Sequence, residues 1–254
     1  MPWARHGAGK GPVGITRSVF YQDLGLYTEG AADRFSFFVE APYRHVSPQT
    51  ADVNFALNPV QVPCRHSNFA DMNVGTKAML LDCELIQITF QFKTFIPTGD
   101  FTNGLGTAHV SLEPSLLFNL RLSPKDYLQG QFAYWIPIGG DPVYQGNIFH
   151  FHLSCNHVLC CPCPGLRLIG TVEVNEWSVC NGAFTATDFL AGDPANGNRL
   201  SPVAAPAVST MASAGPGVRL FICDKIDLGV GTAFAFTTDH WAKELIRAEF
   251  RWRF

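Results

Sequence analysis

From Ala70 to the C-terminus the chain alternates apolar and polar residues with a period of two, and it holds no uninterrupted apolar run long enough for a spanning helix. A period of two sends successive side chains to opposite faces of an extended strand, so the pattern dictates β-structure with one apolar and one polar face. Ala70, Met72, Val74, Ala78 and Leu80 share one face, with Asp71, Asn73 and Lys77 on the other. After a turn at Asp82 and Cys83 the alternation resumes: Ile86, Ile88, Phe90, Phe92 and Ile96 oppose Gln87, Thr89, Gln91 and Lys93. Val110, Leu112, Leu116, Phe118, Leu120 and Leu122 then oppose His109, Ser111, Glu113, Ser115, Asn119 and Arg121, disturbed only at Pro114 and Leu117. Beyond Ser123 to Lys125, Leu128, Phe132, Tyr134, Ile136 and Ile138 face away from Gln129 and Gln131, which closes a second hairpin.

The same grammar continues. Phe149, Phe151 and Leu153 alternate with His150, His152, Ser154 and Asn156, followed by a looser run over Leu166 to Trp177. Val218, Leu220 and Ile222 oppose Arg219; Leu228, Val230, Phe234 and Phe236 oppose Gly229, Gly231 and Ala235. In the last strand Ile246, Ala248, Phe250, Trp252 and Phe254 oppose Arg247, Glu249, Arg251 and Arg253. With Phe35 to Val46 this makes about ten strands, in the range of the ~9 to 11 residues that a tilted membrane strand requires, or about 12 strands if N-terminal ones are missing. The expected division is an irregular segment over 1–30 and a single barrel over 31–254.

Alternation alone does not separate a membrane barrel from a soluble sandwich, because the two swap which face meets water. Composition and connections separate them. Only 15% of residues are charged while 47% are hydrophobic, with 21 Phe, against about a quarter charged in an average soluble domain. Connections at Asp82, Ser123 to Lys125 and Asp224 are tight, whereas Pro97 to Gly106, Pro137 to Gly146 and Cys180 to Pro202 are longer and rich in Gly, Pro, Asn and Asp. Short and long connections alternate, as in antiparallel transmembrane β-barrels with short periplasmic turns and long outer loops. Counted back from the end, this places both termini on the periplasmic side, with a short outer turn at Thr238 to His240. The longest uncharged stretch, Val203 to Val218, is broken by Pro206 and Pro216 and falls short of the ~18 apolar residues of a helical span. A spanning chain of this composition therefore crosses as strands. A net charge of -3 excludes a basic nucleic-acid footprint. Met1 to Gly14 lacks the apolar core of an export signal, so the sequence implies a start that is missing or misassigned.

At Phe95 to Leu117 the chain reads FIPTGDFTNGLGTAHVSLEPSLL. Its Pro-Thr-Gly-Asp and Leu-Gly-Thr runs resemble signatures of the predicted outer-membrane barrels grouped as the phenol meta-degradation (MetA) pathway family. Gly215 to Arg219 and the closing Glu-Phe-Arg-Trp-Arg-Phe fit the same pattern, so the resemblance covers roughly Ala70 to Phe254. It implies a location in the outer membrane of a Gram-negative-type bacterium and passage or binding of a small, aromatic or apolar solute. It supplies no catalytic residue. The terminal aromatic strand, with Phe250, Trp252 and Phe254, resembles the insertion signal read by the outer-membrane assembly machinery.

In a barrel the polar face lines the lumen, which makes Lys77, Lys93, His109, Glu113, Arg121, His150, His152, Glu173, Arg219, Arg247, Glu249 and Arg251 the candidate lumen residues. A small barrel encloses little space, so these charges are expected to pair and largely fill it, a plugged structural barrel being the alternative to a passage. His109, His150 and His152 could also bind a metal. Cys155, His157, Cys160, Cys161 and Cys163 gather soft ligands at one turn without the spacing of a standard zinc module. In an oxidising compartment the same cysteines could staple that turn as disulfides, and Cys64 and Cys180 could pair between outer loops. Asp239 and His240, with Asp100 and Asp141 in neighbouring loops, offer a carboxylate-oriented general base at the outer rim. No Gly-x-Ser-x-Gly, His-Glu-x-x-His or phosphate-binding loop accompanies them, so the chain is read as a non-enzyme without cofactor. The expected partners are the lipid bilayer, the assembly machinery and a small-molecule solute.

Overall fold

The computed structural model of the chain describes residues 17–50, 66–100, 105–107, 109–139, 146–181, 183–185, 204–206, 209–223, 225–237 and 244–252. They form strands β1 (Arg17–Ala32), β2 (Phe35–Thr50), β3 (His66–Phe69), β4 (Met72–Asp82), β5 (Ile86–Ile96), β6 (Val110–Arg121), β7 (Asp126–Ile138), β8 (Ile148–Cys163), β9 (Leu166–Val179), β10 (Ala183–Thr185), β11 (Ala204–Pro206), β12 (Ser209–Ile222), β13 (Ile226–Ala235) and β14 (Glu244–Trp252). One 12-stranded antiparallel sheet runs β1-β2-β4-β5-β6-β7-β8-β9-β12-β13-β14, with β3 also paired to β2; β10 and β11 form a separate two-stranded ribbon. The fold is all-β and antiparallel. Among the described residues the sheet does not close, since no pairing joins β14 to β1.

Two sequence expectations change. The segment over 1–30 is not irregular from Arg17 onward: β1 pairs with β2 along its whole length, from Arg17 opposite Thr50 to Ala32 opposite Phe35. Its alternation is masked in the sequence by Gly25 and Gly30, and its partner, not its own pattern, fixes it as strand. Because β1 runs antiparallel to β2, Arg17 stands at the end of the sheet that carries the long connections, opposite Trp252. The first and last described residues thus stand at opposite ends of the sheet, and the termini themselves lie outside the described residues. The short connections, Asp33–Arg34, 83–85, 122–125, 164–165 and 223–225, all lie at the other end. The short outer turn expected at Thr238 to His240 lies outside the described residues.

The two faces differ as the alternation requires. Outward, Phe37, Leu116, Phe132, Val172, Val230 and Ile246 are exposed, Ile246 to 78%. Inward, Phe38, Ser111, Glu113, His150 and Asp227 are at most 3% exposed. The sheet is thus curled around its polar face. Pro114 sits inside β6 pointing outward, and the β6–β7 pairing skips from Leu112 opposite Ile136 to Ser115 opposite Ala133. A proline has no N–H to give to the ladder, which accounts for the gap.

Candidate functional site

Register brings the lumen candidates together row by row. Lys93 lies directly opposite Glu113, and its Nζ donates to Glu113 Oε1 at 3.0 Å. The other carboxylate oxygen meets His150 Nε2 at 3.2 Å. His150 Nδ1 meets His152 Nε2 at 3.2 Å, and His152 Nδ1 meets the Asn175 side-chain amide directly opposite it. The contacts from Lys93 to Asn175 form one continuous chain. His152 Nδ1 donates to Asn175 Oδ1, which leaves His152 Nε2 as the acceptor of the His150 Nδ1 proton. Trp177 stacks on His150, with ring centroids 4.2 Å apart and planes inclined by 13°, which fixes the imidazole from its face.

A layer of apolar side chains crosses the lumen next to this chain: Phe95, Trp135, Ile148, Val179 and Met211, with Trp177 packed against them. Each lies on the inward face of its strand. His109 meets Trp135 edge to face at 5.5 Å. A pocket of about 20 Å³, room on the scale of one water molecule, lies beside the layer and is lined by Pro42, Arg44, Ala70, Asp71, Phe95, Thr107 and Trp135. The side chains of this layer are buried.

The segment after β5 is tied into the same place by Asp71, a buried carboxylate at the bulge between β3 and β4. Its Oδ1 accepts from the Gly99 N–H at 3.0 Å, and its Oδ2 accepts from the Thr107 N–H and hydroxyl, each at 2.7 Å. Thr98 Oγ1 adds a bond to the Ala70 carbonyl at 3.1 Å, and Leu105 is buried. A Cβ at Gly106 would lie 2.6 Å from Asp71 Oδ1, and one at Gly99 would collide with the Leu105 carbonyl. This gives the Pro-Thr-Gly-Asp and Leu-Gly-Thr runs a physical reason. The glycines let two stretches of backbone close on one carboxylate.

At the short-turn end, Arg219 is ion-paired to Asp227 at 3.2 Å and to Glu249, which also receives Arg247 and, at 3.0 Å, Arg251. Lys77 pairs with Glu29 of β1 at 2.7 Å and donates to Tyr27 at 2.8 Å. Arg121 stands apart, 3.5 Å from Glu84 on the adjacent turn. Glu173 lies on the inward face opposite Ser154 and Gly215. Sequence reasoning missed Asp71, the partners Glu29, Asn175 and Asp227, and the inward apolar residues Phe95, Trp135, Ile148 and Met211. The only signal for the last group was that each falls at a polar-face position.

The soft-ligand turn does not assemble. Cys155, Cys160, Cys161 and Cys163 are exposed and free, as is Cys180, while His157 bonds Asp126 at 2.6 Å. No group of three ligand-type residues stands together among the described residues. A bulge between Val158 and Cys160 and another before Cys163 break the strand where the thiols would have to converge. Cys64, Asp141, Asp239, His240 and Phe254 lie outside the described residues.

No protein-family model and no curated protein matches the chain, so the resemblance to the MetA-pathway family gains no support there. A solved structure of the NanC porin in a rhombohedral crystal form matches with a TM-score of 0.52 over 94% of this chain and 98% of that one, at 7% sequence identity. The chain shares the antiparallel β fold of that structure.

Proposed function

We propose that this chain is an outer-membrane barrel that binds or slowly passes a small solute with an apolar or aromatic body. The observation that carries the reading is the inversion of its faces. Large hydrophobic side chains such as Phe37, Val230 and Ile246 are exposed outward along the strands, while Glu113, His150 and Asp227 are buried inward. In water this arrangement would expose a continuous apolar surface and bury charge; in a bilayer both faces meet the medium that suits them. Phe250 and Trp252 stand outward on the last strand, 65% and 66% exposed, where lipid or the assembly machinery would meet them. Trp135, Phe95 and Trp177 at the buried layer favour apolar or aromatic bodies over hydrated ones. That same burial supports a second reading, a plugged structural barrel.

The test is heat-modifiability in detergent followed by planar-bilayer conductance. A mobility shift between unheated and boiled protein with discrete conductance steps is the expected result. A shift with electrical silence favours the plugged barrel. Good solubility without detergent and no shift would overturn the membrane reading altogether.

A further inference from the structure

Among the described residues on the inward faces of β12, β13 and β14, guanidinium outnumbers carboxylate, next to a stretch of wall without side chains. Three cations, Arg219, Arg247 and Arg251, share two acids, Asp227 and Glu249. The next charged inward residues on β9, Arg167 and Glu173, are one of each sign and leave the excess as it is. Arg219 reaches Glu249 across Gly229, which is opposite both residues in register. A Cβ at Gly229 would stand 3.2 Å from two nitrogens of that guanidinium, so the glycine leaves the room in which it lies flat. One row further from the short turns, Thr171, Gly217, Gly231 and Arg247 are successive partners across four strands. A Cβ at Gly231 would meet only backbone, the Pro216 carbonyl at 3.6 Å and Gly217 Cα at 3.7 Å. The floor between Thr171 and Arg247 is therefore bare.

Arg247 and Arg251 are 66% and 52% exposed, and each contributes a planar fork of five N–H donors of which Glu249 occupies a part. A guanidinium with spare parallel donors beside a concave, side-chain-free floor has the geometry to take a planar or tetrahedral oxyanion. We propose that this arginine-walled, glycine-floored stretch is a binding site for small oxyanions, a carboxylate or a phosphate ester carried by the solute. The inference deepens the passage reading and takes its setting from it: the apolar level selects the body, and the arginine level holds the anionic group.

The test uses the full chain refolded in detergent micelles, with benzoate and inorganic phosphate as probes. The temperature at which the folded band is lost is measured against probe concentration. Either probe should raise it in the wild type; benzoate alone would assign carboxylates and phosphate alone phosphate esters. Arg247→Gln with Arg251→Gln should weaken the apparent affinity about tenfold or more, the scale of a lost charge-assisted pair. Gly231→Val should weaken it with every arginine in place, and it decides the matter if the double variant does not fold. No shift in the wild type, or equal binding by wild type and variants, would overturn the site. A barrel that binds but is silent in a bilayer would overturn passage and leave the site, whereas one that conducts but binds neither probe would do the reverse.

Discussion

The two levels of the lumen are built from the same alternating strands and carry the same kinds of charged residue, yet they are different media. Around Glu113 the interior is packed as tightly as a protein core: Glu113 is 3% exposed, His150 1%, and Trp135 and Ile148 close the space beside them. Around Glu249, Arg247 and Arg251 are more than half exposed, Arg219 is a quarter exposed, and the wall is glycine. A charge in the first region has no water to fall back on, whereas Arg247 and Arg251 in the second do. Under the proposed function, the first level would form the barrier to passage and the second would capture the ligand. The largest effect expected from breaking this contrast is that of Glu113→Ala. It strands Lys93 and leaves His150 without its carboxylate, which should cost about 3 to 5 kcal/mol. Urea unfolding of the micelle-refolded protein, followed by loss of heat-modifiability, measures it. A loss as small as that of an exposed pair would show that water reaches this level and that it is not the barrier.

The segment tied down by Asp71 tests the same level from its outer side. Asp71→Ala leaves the Gly99 and Thr107 N–H groups, both part of a close backbone approach, without their acceptor. The cost should be about 1 to 3 kcal/mol, with a gain in single-channel conductance and in protease cleavage near Leu105. Cleavage and conductance unchanged from the wild type would mean that backbone packing against Leu105 and Gly106 holds the segment without the carboxylate.

Much of this contrast was legible in the sequence, and the part that was not has a physical cause. A period of two decides which residues share a face, so Lys93, Glu113, His150, His152 and Arg219 could be put on the polar faces of their strands from spacing alone, and composition and connections turned those faces inward. What the period cannot give is the partner across a strand pair, which depends on register and so on the turn lengths and the bulge between Met79 and Leu81. Glu29, Asn175 and Asp227 were invisible for that reason. The apolar layer was hidden by the opposite effect. Phe95, Trp135 and Ile148 break the alternation locally and read as noise, when each is an inward residue that happens to be apolar. β1 was lost because Gly25 and Gly30 dilute its pattern and only pairing with β2 reveals it. The cysteines drew attention by density, but bulges in β8 scatter thiols that the sequence sets side by side.

Arg121 and Glu113 illustrate how far apart two residues on one strand face can stand. Both lie on the inward parity of β6, and by sequence they were equivalent lumen charges. Arg121 is at the short-turn end, 52% exposed, and its partner Glu84 is 90% exposed at 3.5 Å. Two long side chains held that loosely in water gain little from each other, because the Coulomb attraction is screened and the lost rotamer freedom offsets it. Arg121→Gln should therefore change stability by about 0 to 1 kcal/mol, the smallest of the three effects. It also removes one positive charge from the mouth through which an anion would leave or enter, so it should lower anion-over-cation permeability in a salt gradient without touching the Glu113 network. The comparison with Glu113→Ala is then a clean one along a single strand. A stability loss at Arg121 approaching that at Glu113 would mean that the short-turn mouth is as dry as the apolar level, and the division of the lumen into a barrier and a capture region would fail.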